Sequence, residues 1–250
     1  MTVVVIPALN EEEVIGNVVR SIPGLADRII VVDNGSNDRT ADRAREAGAV
    51  VIDQPSRGYG RACRAGMNVA IKAGADVIVF IDGDGSDCPE FMEALVKPIL
   101  RNEYDFVIGS RVRGEREPGS LTFPQVFAGL LAGWMLGICY GVKFTDMSPF
   151  RAVRRSLLEA LPMREETYGW NLEMQMLVAR AKVRILEIPV NHRRRQGGVS
   201  KVSGTLRGTF LAGTRIVSTF FRVALSNRGG IRDYPRTKSS RIGPSGRRDK

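Results

Sequence analysis

Asp82 and Asp84 close the apolar run Val77-Ile-Val-Phe-Ile and flank Gly83. On an extended chain, positions i and i+2 project to the same side, so both carboxylates face one mouth. Gly83 and Gly85 leave room for a ligand or another backbone to approach. Two hard oxygen donors at a strand end suit Mg²⁺ or Mn²⁺, ions usually completed by water and substrate phosphates. A polar strand-to-helix loop accounts for the same residues without a ligand, because Asp and Gly are common in turns. Histidine and thiol chemistry is disfavoured. His192 is the only histidine, and Cys63, Cys88 and Cys139 show neither disulfide nor zinc spacing, a usage that fits a reducing cytosol.

Carboxylates at a strand end need a rigid frame, and the first half of the chain reads as one. Strand-like runs at residues 3–7, 28–33, 49–52, 77–82 and 106–110 alternate with helical patterns at 14–22, 38–46, 60–73 and 89–101. That alternation predicts an α/β fold with right-handed crossovers and a mostly parallel sheet covered on both faces. Ligands of such sheets bind beyond the carboxyl ends of the strands. Pro7-Ala8-Leu9-Asn10, Asp33-Asn34 and Asp82-Gly83-Asp84 all fall there, so three polar clusters converge on one edge. Asn10 with Glu13 also makes a helix cap that needs no ligand. The first strand leads into Glu11-Glu12-Glu13 instead of a glycine-rich turn, and no P-loop follows, which excludes a dinucleotide-dependent dehydrogenase and ordinary kinase chemistry.

The 250 residues carry a net charge of +10, unevenly placed. From Ser226 onward eight Lys and Arg face only Asp233 and Asp249, in a stretch rich in Gly, Pro and Ser that reads as a disordered basic tail over 226–250. No zinc-finger, helix-turn-helix or RNA-binding signature accompanies it, so an anionic membrane surface is expected in preference to nucleic acid. Residues 118–142 carry no charge, and Gly129, Gly133, Gly137 and Gly141 recur every fourth position. Such a face suits close helix packing, either as an oligomer-forming or surface-lying helix over 129–141 or as a buried one. Residues 205–225 form a second candidate membrane-surface helix bearing Arg207, Arg215 and Arg222. No basic, apolar signal segment precedes the first strand.

Taken in order, the motifs resemble glycosyltransferase family 2. The matching residues are Ile6-Pro-Ala-Leu-Asn-Glu-Glu12, Val31-Val-Asp-Asn-Gly-Ser-Asn-Asp38, Phe80-Ile-Asp-Gly-Asp84 and Gly109-Ser-Arg111. Thr145-Asp-Met-Ser-Pro-Phe-Arg151, Tyr168-Gly-Trp-Asn-Leu-Glu-Met174 and Gly198-Val-Ser-Lys201 are similar to the polyprenyl-phosphate mannosyl- and glucosyltransferases, although Ser86 stands where those enzymes usually carry Gln. The resemblance implies a GT-A domain over 1–217, with a nucleotide-sugar and metal half at 1–111 and an acceptor half at 112–217. It implies a metal-dependent, inverting transfer from a nucleotide-diphosphate sugar of the UDP-glucose or GDP-mannose class. The acceptor is expected to be a polyprenyl phosphate at the cytoplasmic membrane face; a hydroxyl acceptor, or a non-catalytic sugar-nucleotide module, is the alternative. Pro7, Ala8, Asn10, Glu11, Asp33, Asn34, Gly60, Asp82 and Gly83 are expected around the donor, with Asp82 and Asp84 at the metal. Arg111, Arg195 and Lys201 are expected at phosphates. A phosphate acceptor needs no base, whereas a hydroxyl acceptor would draw on Glu173 or Asp146.

Overall fold

The computed structural model describes residues 1–197, 206–226 and Tyr234. The strands are β1 (Thr2–Ala8), β2 (Arg28–Asp33), β3 (Val50–Asp53), β4 (Val77–Phe80), β5 (Phe106–Ser110), β6 (Arg151–Arg154) and β7 (Ile185–Pro189). The helices are α1 (Ile15–Ser21), α2 (Thr40–Glu46), α3 (Tyr59–Lys72), α4 (Met92–Leu100), α5 (Phe123–Tyr140), α6 (Arg155–Ala160), α7 (Trp170–Ala181) and α8 (Leu206–Leu225). One seven-stranded sheet runs in the order β3-β2-β1-β4-β6-β5-β7. The β1, β2, β3 and β4 pairings are parallel, as the strand–helix alternation predicts. β6 departs from it, lying antiparallel between β4 and β5, with β7 parallel to β5 on the far side. Both halves of the chain therefore share one sheet.

Alternation along β1 explains how both faces are covered. Val3 and Val5 point into an apolar cluster with α3, α5 and α7, while Val4 and Ile6 point into a second cluster with α1 and α4. A strand buried on both faces reads as an unbroken apolar run, and Val3-Val-Val-Ile6 is one.

The glycine repeat in α5 is used inside the molecule. Gly129, Ala132, Gly133 and Leu136 face inward, and a Cβ on Gly133 would stand 1.8 Å from the Phe144 carbonyl oxygen. The expected oligomer through the glycine face of 129–141 is therefore corrected: that face packs against the chain's own Phe144–Met147 segment, and the face turned outward is apolar. In α8, Phe220 and Val223 are buried, and the partly exposed Arg222 sets its guanidinium on Glu165 (2.8 Å) and Glu173 (2.9 Å). Val217, Phe221 and Leu225 are exposed on the same helix. In the basic tail, Tyr234 donates a hydrogen bond to Asp105 Oδ1 at 2.8 Å; the rest of the tail expectation, from residue 227 on, lies outside the described residues.

Candidate active site

A cavity of about 720 Å³ opens at the carboxyl ends of β1 and β4. Pro7, Ala8, Glu11, Asn34, Asp82, Gly83, Asp84, Arg111 and Arg195 line it, joined by Tyr59, Ser86, His192 and the Leu121–Thr122 approach to α5. Convergence at the strand ends is thus what the topology produces. Several expected residues hold the wall or its surroundings in place. Asn34 donates to the carbonyls of Gln54 and Ser56 (3.0 Å each) and accepts from Gly58 N–H at 2.7 Å, tying three loops together. Asp33, off the wall, accepts from Ser36 N–H at 3.0 Å. Asn10 is not a helix cap: α1 starts at Ile15 with no side-chain cap, and Asn10 sits at φ 52° with its Oδ1 on Asn37 N–H. Gly60 lies off the wall and packs tightly, since a Cβ there would lie 2.4 Å from the Glu165 carbonyl oxygen.

Three carboxylates crowd the β4 exit. Asp82 Oδ1 accepts the Tyr59 hydroxyl at 3.0 Å, and Asp82 N–H donates to Asp87 Oδ2 at 3.2 Å. Asp84 Oδ1 accepts from Ser86 N–H at 3.0 Å and from its hydroxyl at 2.6 Å. Burial, then the Asp87 and Asp84 charges, push the Asp82 carboxyl well above the usual range; burial raises Asp87 as well. Asp87 Oδ1 and His192 Nδ1 are buried without a hydrogen-bond partner. Burial, with the Arg111 charge behind it, pushes His192 down to about 4, leaving a neutral imidazole near Asp84. Among the described residues no three His, Cys, Asp or Glu form a complete cage. The donors on the wall suit an ion that keeps sites for water and phosphate, as Mg²⁺ and Mn²⁺ do.

Three arginines line the cavity, Arg57, Arg111 and Arg195, and two of them have carboxylate partners that bear on the site. Arg111 lies in a fork on Asp146, with Nε to Oδ2 at 2.8 Å and Nη2 to Oδ1 at 2.9 Å, while Arg111 N–H also reaches Oδ2 at 2.9 Å. Burial opposes the charge of Arg111 and Asp146 outweighs it, holding the guanidinium ionised in the wall. Asp146 itself is buried off the wall, so it orients Arg111 and is not placed to take a proton from an acceptor. Arg195 bridges Asp84 (3.2 Å) and Glu11 across the cavity. Glu173 is the second expected base that lies elsewhere. It is 1% exposed, off the cavity wall, and accepts from the Arg164 and Glu165 N–H groups and from Arg222. Lys201 and the rest of Gly198-Val-Ser-Lys201 lie outside the described residues.

Sequence reasoning missed Tyr59, Asp87 and His192. Asp87 belongs to the same acidic loop and was legible as a third carboxylate. Tyr59 and His192 carry no spacing signal, because only the fold brings them to the β4 exit.

The sequence profile of glycosyl transferase family 2 matches residues 3–161. The chain is 36% identical over 215 residues to an uncharacterised glycosyltransferase of Mycobacterium tuberculosis, covering 84% of this chain and 93% of the relative. It is 32% identical over 222 residues to the undecaprenyl-phosphate mannosyltransferase of Micrococcus luteus, covering 82% and 88%. Glucosyl-3-phosphoglycerate synthase of Mycobacterium tuberculosis, solved with Mg²⁺ and UDP, superposes with a TM-score of 0.70 at 27% identity, covering 90% of this chain and 79% of the other. The same enzyme has been solved with Mn²⁺, UDP-glucose and phosphoglyceric acid. The fold is GT-A, and the site is that of a nucleotide-sugar-dependent glycosyltransferase. This chain belongs to glycosyltransferase family 2.

Proposed function

We propose that the protein transfers a sugar, with inversion, from a nucleotide-diphosphate sugar to a polyprenyl phosphate in the membrane, with a divalent cation at Asp84. The observation that carries this reading is the division of charge in one cavity. Arginines at 111 and 195 face it, whereas both candidate bases, Asp146 and Glu173, are held in ion pairs off its wall. A phosphate acceptor is already ionised and needs no base. The polyprenyl-phosphate specificity of the Micrococcus luteus relative supports the same choice.

In this mechanism the nucleoside lies along Pro7–Ala8 and Asn34, whose loop is fixed by the bonds to residues 54, 56 and 58. Asp84, oriented by Ser86, and the neutral His192 would hold Mg²⁺ or Mn²⁺, with Asp82 set by Tyr59 beside them. A cation held by these residues would supply positive charge to offset that developing on the leaving diphosphate. Arg195 adds a second positive group to the leaving diphosphate after exchanging its carboxylate partners for phosphate. Arg111, preset by Asp146, draws the anionic acceptor oxygen toward the anomeric carbon, opposite the departing diphosphate. The acceptor O–C bond forms as the anomeric C–O bond to the diphosphate breaks, and both electrons of the broken bond leave with the nucleotide.

The test is a donor panel of UDP-glucose, UDP-N-acetylglucosamine and GDP-mannose against undecaprenyl phosphate and 3-phosphoglycerate, with and without chelator. A lipid-linked sugar identified by mass, lost on chelation, is expected. Transfer to 3-phosphoglycerate alone would move the protein to a water-soluble acceptor, and chelator-insensitive turnover would remove the cation.

A further inference from the structure

We infer that Glu165 is a positioning residue for sugar transfer: α8 moors its carboxylate, and the carboxylate holds the Thr167–Tyr168 lip of the cavity in place. Thr167 and Tyr168 line the cavity wall. Residues 162–169 belong to no strand or helix, so no ladder of backbone bonds sets their path. Side chains set it instead. One Glu165 oxygen, Oε1, accepts from the Thr167 N–H at 3.2 Å and from its hydroxyl at 2.6 Å. The other, Oε2, accepts from the Thr219 hydroxyl and from Arg222 Nη2 on α8, both at 2.8 Å. The carboxylate is thus divided, one oxygen for the lip and one for the helix.

Different elements hold the two ends of this segment. Its 165–166 end is pressed against the start of α3. A Cβ on Gly58 would stand 2.4 Å from the Glu166 carbonyl oxygen, and Arg61 N–H donates to that oxygen at 3.1 Å. At the cavity end, a Cβ on Gly169 would stand 2.4 Å from Thr219 Oγ1, so α8 lies directly behind the lip. Glu165 is 8% exposed and Thr219 1%. Burial acts to raise the Glu165 carboxyl, but hydrogen bonds from Thr167 and Thr219 and the Arg222 charge outweigh it and keep it ionised. A buried carboxylate whose acceptor sites are filled holds one geometry, and such networks are stiff. Arg222 is in turn aimed by Glu173, which meets it from α7 at 2.9 Å. Transfer needs its reacting groups held to within about 1 Å, so a loosened lip lowers turnover although Arg222 is absent from the wall. This role rests on the cavity being the site of transfer and is the same for a lipid or a soluble acceptor.

Trp170 follows the lip directly, is 1% exposed and packs edge-on against Phe80 of β4. Acrylamide quenching of its fluorescence therefore reports how firmly the lip is held. Trp134→Phe removes the other tryptophan, which is exposed on α5. In that background, Arg222→Gln should raise the Trp170 quenching constant by about twofold or more. With the donor and acceptor that the panel above returns for the native protein, its kcat should fall about tenfold or more. Its affinity for UDP–Mn²⁺ or GDP–Mn²⁺ should stay unchanged. Thr219→Val, which deletes one bond and keeps the shape, should show both effects to a smaller degree. Glu173→Gln is the comparison: it leaves Arg222 on Glu165, so it should lower the thermal midpoint and keep kcat. Unchanged quenching in Arg222→Gln would overturn the mooring whichever acceptor the panel returns. Losses of kcat in both Arg222→Gln and Glu173→Gln, each in step with its thermal shift, would overturn it in favour of a clasp that only stabilises the fold. A loss confined to nucleotide–Mn²⁺ affinity would overturn it in favour of an effect through the start of α3.

Discussion

Arg195 sits between Asp84 and Glu11, so the residue expected at the diphosphate rests on the residue expected at the cation. Ligand binding must part them, and the two substitutions therefore separate. Asp84→Asn should lower UDP–Mn²⁺ affinity about 100-fold or more, because a hard anionic donor becomes neutral. Calorimetry checks this, and unchanged affinity would remove Asp84 from the cation site. Arg195→Ala should reduce kcat by about 100-fold or more with little loss in donor KM, since the charge it meets grows as the diphosphate leaves. Glu173→Gln should behave otherwise. It removes the ion pair with Arg222 and weakens two backbone contacts, at about 2 kcal/mol. Thermal unfolding should shift down by about 6 °C, with turnover per folded molecule near that of the native protein. A collapse of turnover without a thermal shift would return Glu173 to the role of base.

At the scale of elements, glycine at 133 decides where α5 lies. Gly133→Ala puts a methyl group 1.8 Å from the Phe144 carbonyl oxygen, and overpacking against backbone should cost about 2 kcal/mol or more. Circular dichroism melts would register it, and a neutral result would mean that the helix shifts freely. The same helix shows what a sequence reveals and what it hides. The uncharged, glycine-spaced stretch was plain, but which face turned inward was not, because both faces are apolar and periodicity alone cannot separate them. The first five strands were readable because turns and helices alternate regularly around them. β6 carries arginines at both ends, one of them fully buried with its guanidinium over the Phe106 ring at 5.9 Å, and so lacked the look of a central strand. The site was legible wherever its residues sat at strand ends. His192 and Tyr59 come from a late loop and a helix start, and three-dimensional packing alone brings them together.

For the whole molecule, Asp105 is the tie between distant parts of the chain. It pairs with Arg184 at 2.8 Å and Arg154 at 3.2 Å and accepts the Tyr234 hydroxyl. Burial acts to raise this carboxyl, but hydrogen bonds from Arg184 and Tyr234 outweigh it and hold it below the usual range. A folded-state value below the unfolded one, roughly 3.9 for a free Asp side chain, favours the folded state at higher pH. Its contribution is present above that unfolded value and is lost as pH falls through the lowered folded one. Asp105→Asn should therefore cost about 3 kcal/mol at neutral pH and flatten the acid limb of a stability–pH curve. An acid limb as steep as in the native protein would place the titration elsewhere.

The place of β6 also governs how the chain is made. β5 has no partner among the strands that precede it, since its neighbours are β6 and β7. Forty residues separate the end of β5 from the start of β6, so at ribosomal speeds of about 5–20 residues per second the nascent β5 waits roughly 2–8 s for its first hydrogen-bonding neighbour. During that interval a largely apolar strand, Phe106-Val-Ile-Gly-Ser110, is displayed with open edges, which is the form of chain that chaperones bind and that aggregates when they are scarce. Synthesis of this enzyme should thus be most sensitive to chaperone supply while residues 111–150 are leaving the ribosome, and a stop within that stretch should yield insoluble protein.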